Sequence, residues 1–140
     1  MRIFLDANIL VSVLNKEYPQ YLYTARILSV GDNKKNTLVT TNICLAIAFY
    51  FAEKKHGQAL AKRKISLLAE HLDIAECGKR ETTSAVANKK VNDFEDGLQY
   101  YAALHSNCSY IVSNDTDDFY FSEIPVMDAE SFFRKHVHKE

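Results

Sequence analysis

The sequence predicts an α/β domain: three layers, with a short, mostly parallel central sheet between helices. Three observations point there. Short, nearly all-apolar runs recur at Arg2–Leu5, Thr37–Thr40 and Tyr110–Val112, as strands buried in a parallel sheet require. Segments of helical periodicity separate these runs, the pattern of crossover connections. No repeat, low-complexity tract or Pro/Gly-rich linker interrupts the alternation, and only four Gly and two Pro are present. Residues 1–140 therefore read as one domain.

Each element has its own signal. Ile3-Phe4-Leu5 forms an apolar strand that stops at Asp6, and residues 7–15 read as helix. Residues 18–30 carry apolar side chains near helical spacing until Gly31-Asp32-Asn33 stops them. After the strand at Thr37–Thr40, residues 42–55 are so apolar (Ile43, Leu45, Ala46, Ile47, Phe49, Tyr50) that they predict a buried helix. Gly57 breaks it and residues 58–71 form another. A short strand is expected at 72–75, a weaker helix at 81–90, and a helix opening at Asp93 and running to about Ser106. The Tyr110–Val112 strand runs into Ser113-Asn114-Asp115. Residues 125–127 form a last strand and 129–136 a terminal helix.

Composition narrows the functional classes. Hydrophobic residues make up 47% of the chain and charged residues 25%, so a domain of this size can bury a core without metal or disulfide staples. Cys44, Cys77 and Cys108 are odd in number, far apart and outside any CxxC pair, which argues against a disulfide framework or zinc cluster. The expected setting is a reducing cytoplasm, with no membrane-spanning run and no signal peptide. The net charge of −1 hides an asymmetry. Between residues 91 and 133 there is no Lys or Arg, and nine acids occur: Asp93, Glu95, Asp96, Asp115, Asp117, Asp118, Glu123, Asp128 and Glu130.

Some of those acids fall where the fold brings them together. Ligands of an open parallel sheet bind beyond the carboxyl ends of its strands. Asp6 ends the first strand and Asp115 follows the Tyr110–Val112 strand. Asp96 lies in the first turn of a crossover helix, which starts at that same edge. Asp118 stands three residues beyond Asp115. Carboxylates gathered so closely must take up protons or a cation, and all-oxygen donors select Mg²⁺ or Mn²⁺. Such ions activate water and stabilise the leaving oxygen in phosphodiester cleavage. Each residue also has a structural role open to it. Asp96 suits the third position of a helix capped by Asp93. Asp115 and Asp118 suit a turn, and Asn8 suits a helix cap. Asp6 is different, because an unpaired carboxylate after a buried strand costs several kcal/mol.

These residues resemble the acidic motifs of the PIN-domain family, in its toxin-type, VapC-like branch. Phe4-Leu5-Asp6-Ala7-Asn8 is similar to the family's opening strand. Asp93-Phe94-Glu95-Asp96-Gly97-Leu98-Gln99 is similar to its third acidic motif, with Asp96 in the catalytic place. Tyr110-Ile111-Val112-Ser113-Asn114-Asp115 and Asp118-Phe119 are similar to the terminal one. The resemblance implies a metal-dependent endoribonuclease, often the toxin of a toxin–antitoxin pair and often a homodimer. Asp6, Asp96 and Asp115 would be catalytic, binding Mg²⁺ or Mn²⁺ together with Asp118. Asn8, Ser113 and Asp93 would support them. One departure stands out. Many members place a glutamate on the helix after the second strand, and the aligned position here is Ile47. Glu53, six residues on, lies about 240° further round that helix and cannot substitute.

Ile47 favours an alternative reading, a catalytically weak or inactive PIN-like module that binds RNA or protein. Other enzymes with an aspartate after the first strand fit less well. A haloacid-dehalogenase-type phosphatase needs a second Asp where Asn8 stands, and a two-component receiver needs an early acidic pair and a late Lys. Lys54, Lys55, Lys62, Arg63 and Lys64 concentrate positive charge around one helix–helix junction, which suits either contact with phosphates or a solvated helix face. Phe49, Tyr50 and Phe51 read as core or dimer-interface residues. His136 and His138 read as solvent-exposed.

Overall fold

The structure, a computed structural model, describes residues 1–137. Five strands form one all-parallel sheet in the order β3-β2-β1-β4-β5. They are β1 (Arg2–Leu5), β2 (Thr37–Thr40), β3 (Asp73–Ile74), β4 (Tyr110–Val112) and β5 (Val126–Met127). β1 is central because it can be: Ile3, Phe4 and Leu5 are all fully buried, which suits a strand covered on both faces. Its register pairs Phe4 with Val39 on one side and with Ile111 on the other.

Seven α-helices make the connections: α1 (Ala7–Asn15), α2 (Tyr21–Leu28), α3 (Asn42–His56), α4 (Gln58–Ala69), α5 (Lys79–Ala87), α6 (Phe94–His105) and α7 (Ala129–Phe132). α1 packs on α3, α3 on α4, α5 on α6 and α2 on α7, giving a three-layer α/β/α fold. The chain winds outward from β1 through β2 to β3. It then returns through α5 and α6 to β4 on the other side of β1. The strand order therefore reverses between β1 and β4. At such a switch point the loops part and leave a crevice at the carboxyl edge.

Several elements differ from their sequence-based expectation, each for a local reason. Helix α2 starts at Tyr21 rather than residue 18, because Pro19 disfavours the helical conformation at Tyr18 before it. It gives way to a 3₁₀ turn at Ser29–Asp32. Helix α5 starts two residues earlier than expected. Glu81 caps it from within, its Oε1 accepting the Gly78 N–H at 2.8 Å. Helix α3 is not buried all round. Only the face of Cys44, Ala48 and Ala52 is sealed, while Tyr50 and Phe51 are 51% and 44% exposed. Phe49 packs against the core. After α7 the chain tightens into a π-helical turn at Phe133–Val137. There His136 stacks 4.7 Å from the rings of both Tyr110 and Phe132, so it is packed rather than solvated. His138 lies outside the described residues.

Candidate active site

The carboxyl ends of β1 and β4 open into a cleft of about 350 Å³. Asp6 sits at its base. The Asp6 backbone N–H bonds to the Val112 carbonyl at 3.0 Å, continuing the β1–β4 ladder by one residue. Its side chain then turns to cap α1, Oδ1 accepting the Ala7 N–H at 2.8 Å. The helix cap is thus Asp6 and not Asn8. The other oxygen, Oδ2, accepts the Ser113 hydroxyl at 2.8 Å. Burial pushes the Asp6 carboxyl above its ordinary range. The Ser113 and Ala7 hydrogen bonds oppose that, and the charges of Asp115 and Glu95 add to it.

Asn8, the second residue of α1, ties the two strand ends together. Its amide Nδ2 donates to Ser113 Oγ and to Asp115 Oδ2, both at 3.1 Å, and its Oδ1 accepts the Asn114 N–H at 3.1 Å. Fully buried Ser113 also accepts the Asp115 N–H at 3.1 Å. One hydroxyl therefore orients a carboxylate on each side of the switch point, using its donor for Asp6 and its lone pairs for Asn8 and the backbone of Asp115.

Asp96 enters from α6. Asp93 caps that helix, its Oδ1 accepting the Asp96 N–H at 3.0 Å. This places Asp96 in the first turn with its carboxyl toward the cleft. Asp118 comes from the 3₁₀ turn at Thr116–Phe119. Burial pushes the Asp96 carboxyl up to about 7, helped by the charges of Asp93, Asp118, Asp6 and Glu95. Burial and the neighbouring acids also raise Asp118. Asp93 itself borders an adjoining depression, which shares Asp96 and Asp118 with the cleft.

The cleft wall is completed by Ala7, Val11, Glu17, Ile47, Phe51 and Glu95, and among the described residues no basic side chain lines it. Glu17 and Glu95 were not singled out from the sequence. Glu95 had a signal, since it precedes Asp96 in the first turn of α6. Glu17 had none, because it reaches the cleft only through the turn after α1. Ile47 lies on the wall where an acid of α3 would stand. Among the described residues no three acidic, histidine or cysteine side chains already converge tightly enough to hold a metal ion. The donor chemistry fits a hard cation nonetheless. Every cleft group that could hold a cation offers oxygen, burial first and neighbouring charges second raise Asp6, Asp96 and Asp118, and among the described residues no Lys, Arg or His lines the cleft. Cys44, Cys77 and Cys108 are free thiols.

Comparison with known proteins agrees with this architecture. The chain is 27% identical over 135 residues to Ribonuclease VapC1 of Aquifex aeolicus (strain VF5), covering 94% of this chain and 92% of that one. Its fold is similar to that of the VapBC2 structure from Rickettsia felis bound to a DNA fragment from its promoter. There the TM-score is 0.70 at 20% identity, over 91% of this chain and 98% of that one. It is also similar to Mycobacterium tuberculosis VapC20, described as a Sarcin-Ricin loop cleaving toxin. That TM-score is 0.65 at 13% identity, over 84% and 92% of the two chains. The PIN domain profile matches residues 2–117, which include Asp6, Asp96 and Asp115. The chain therefore belongs to the PIN-domain family.

Proposed function

We propose that this protein is a metal-dependent endoribonuclease that hydrolyses RNA phosphodiester bonds. One observation carries the reading: four aspartates from three separate segments line one cleft at the switch point, with no basic side chain among them. Asp6, Asp96 and Asp115 are the catalytic carboxylates and, with Asp118, would hold Mg²⁺ or Mn²⁺. Such a cation supplies positive charge to the phosphate and acidifies the attacking water.

The remaining work belongs to the chain. Ser113 and the Ala7 N–H each occupy one acceptor position on the Asp6 carboxylate, fixing its rotamer while leaving other lone pairs free. Asn8 holds Asp115, and Asp93 fixes the start of α6. The similarity to Ribonuclease VapC1 and to the VapBC2 assembly supports a toxin working with a cognate antitoxin, and a cytoplasmic homodimer belongs to the same proposal. No helix of the described residues is long and apolar enough to cross a membrane. Ile47 on the cleft wall favours a second reading, a PIN-like RNA- or protein-binding module of weak or no activity.

Purified protein given single-stranded RNA separates the two. Cleavage should require Mg²⁺ or Mn²⁺, stop with chelator, and fall by on the order of 100-fold or more in Asp6→Asn, with the fold retained. Cleavage that persists in excess chelator or in Asp6→Asn would remove the metal mechanism. RNA binding without cleavage would leave the module.

A further inference from the structure

Phe51 is a large apolar side chain left 44% exposed on the wall of a cleft whose other side is acidic. It stands one turn beyond Ile47 on α3, and both line the cleft together with Val11 of α1. These three residues make an apolar wall that runs outward from Asp6. Next to Phe51 is Tyr50, 51% exposed, its ring packed edge-on against Phe51 at 5.2 Å. The ammonium of Lys54 lies 4.4 Å from the centre of the Tyr50 ring and forms no ion pair among the described residues. The platform is held in place. The Asn15 amide donates to the Phe51 carbonyl at 3.4 Å, and the Lys55 ammonium donates to the Asn15 carbonyl at 2.5 Å, which pins α3 to the end of α1.

We infer that Phe51, flanked by Tyr50 and Lys54, is the seat of an unpaired nucleobase next to the scissile phosphate. The inference rests on the ribonuclease reading. Two chemistries, apolar and acidic, line the one cleft, and a nucleotide has both. The acidic side repels a phosphate unless a cation lies between them. The apolar side has no hydrogen-bonding group to offer a phosphate, but it matches the face of a base. Every base has such a face, so stacking on an aromatic ring tolerates any sequence. In a duplex that face is already covered by neighbouring base pairs, so only an unstacked strand or loop can present it. Lys54, and Lys62 and Arg63 on α4, are exposed. They supply positive charge for the backbone leaving the cleft.

The test is fluorescence binding of a short single-stranded RNA carrying 2-aminopurine, whose emission is quenched on stacking. The full chain carries Asp6→Asn so that the RNA stays intact. Phe51→Ala should weaken binding by roughly 5- to 150-fold, the range of one base–aromatic stack, and should lose the quench. Phe51→Trp should keep both, and the same sequence as a duplex should bind equally to all three proteins. Equal affinity and quench in Phe51→Ala overturns the inference. So does a Phe51→Ala protein that changes its oligomeric state but not its RNA affinity, which would make the patch a contact between copies. If the unaltered chain cleaves RNA with the same KM as Phe51→Ala, only the base seat fails. If the unaltered chain neither binds nor cleaves RNA, the ribonuclease reading fails with it.

Discussion

The two ends of α6 treat buried acid in opposite ways. At its start, burial and then the charges of Asp93, Asp118, Asp6 and Glu95 push the Asp96 carboxyl up to about 7, and no basic side chain of the described residues lines the cleft. At its far end, about 16 Å away for a helix of this length, His105 meets Glu81. The side chains of Glu81 and His105 are 5% and 15% exposed, and Glu81 Oε2 lies 2.5 Å from His105 Nδ1. Its other oxygen takes the Gly78 N–H. Burial favours a higher Glu81 pKa, but the Gly78 and His105 hydrogen bonds outweigh it and hold the carboxyl below its ordinary range. The comparison separates purposes. Where an acid only closes a helix and packs, the chain provides a partner. Where the partner is withheld from several acids at once, the fold carries an electrostatic cost that a cation can relieve.

The largest expected effect breaks the satisfied end. Glu81→Ala orphans the Gly78 N–H and the His105 ring, and should cost about 1–3 kcal/mol, read as a lower Tm. Glu81 is depressed in the folded state. Its contribution is therefore present above the pKa of an unfolded glutamate and is lost as pH falls through the lower folded value. The gap between Glu81→Ala and the parent should accordingly close in acid. A variant that melts like its parent at neutral pH would mean that the pair contributes nothing.

Ile47→Glu sharpens the acidic end. Ile47 is half-buried on the cleft wall, so a carboxylate there adds an oxygen donor to the set. Mn²⁺ should bind about tenfold more tightly, and any cleavage should rise. Melting with and without Mn²⁺ checks this. A variant that melts far lower and is not rescued by metal would show that the position serves packing, with the cost of a buried unpaired charge.

The smallest effect is on stability of the metal-free protein. Asp96 binds its proton more tightly folded than unfolded, so between the ordinary aspartate pKa and about 7 the folded state holds more protons. Stability should fall as pH rises through that window. Asp96→Asn removes the loss. At pH 8 without metal it should be more stable, by on the order of 1 kcal/mol after solvent screening, and it should match the parent near pH 4. Adding Mn²⁺ should stabilise the parent and not the variant. A variant less stable than its parent at pH 8 would mean that the carboxyl is satisfied rather than repelled.

Much of this was legible in the chain itself. The central strands were, because buried parallel strands are continuous apolar runs. Asp6 was, because a carboxylate at the end of such a run has few places to go. The capping of α6 by Asp93 was legible from residue type and spacing alone. The start of α5 was not. Glu81 acts from the third helical position, and its second partner, His105, is 24 residues away. Nor was α3, where apolarity suggested burial all round. The helix is sealed along Cys44, Ala48 and Ala52, while Tyr50 and Phe51 are left exposed and Phe51 lines the cleft.

By itself, the sequence determined the fold class, the placing of strands and helices, and the set of aspartates that a parallel sheet delivers to its carboxyl edge. Those follow from periodicity and chain direction, which are local. Only the tertiary structure decided what surrounds the aspartates. It brought Glu17, Glu95, Ile47 and Phe51 to the same cleft, ran one hydroxyl of Ser113 between Asp6 and Asn8, and gave Glu81 a histidine while leaving Asp96 none. Charge repulsion, burial and hydrogen-bond supply depend on neighbours in space, and the strand order β3-β2-β1-β4-β5 alone sets which neighbours those are.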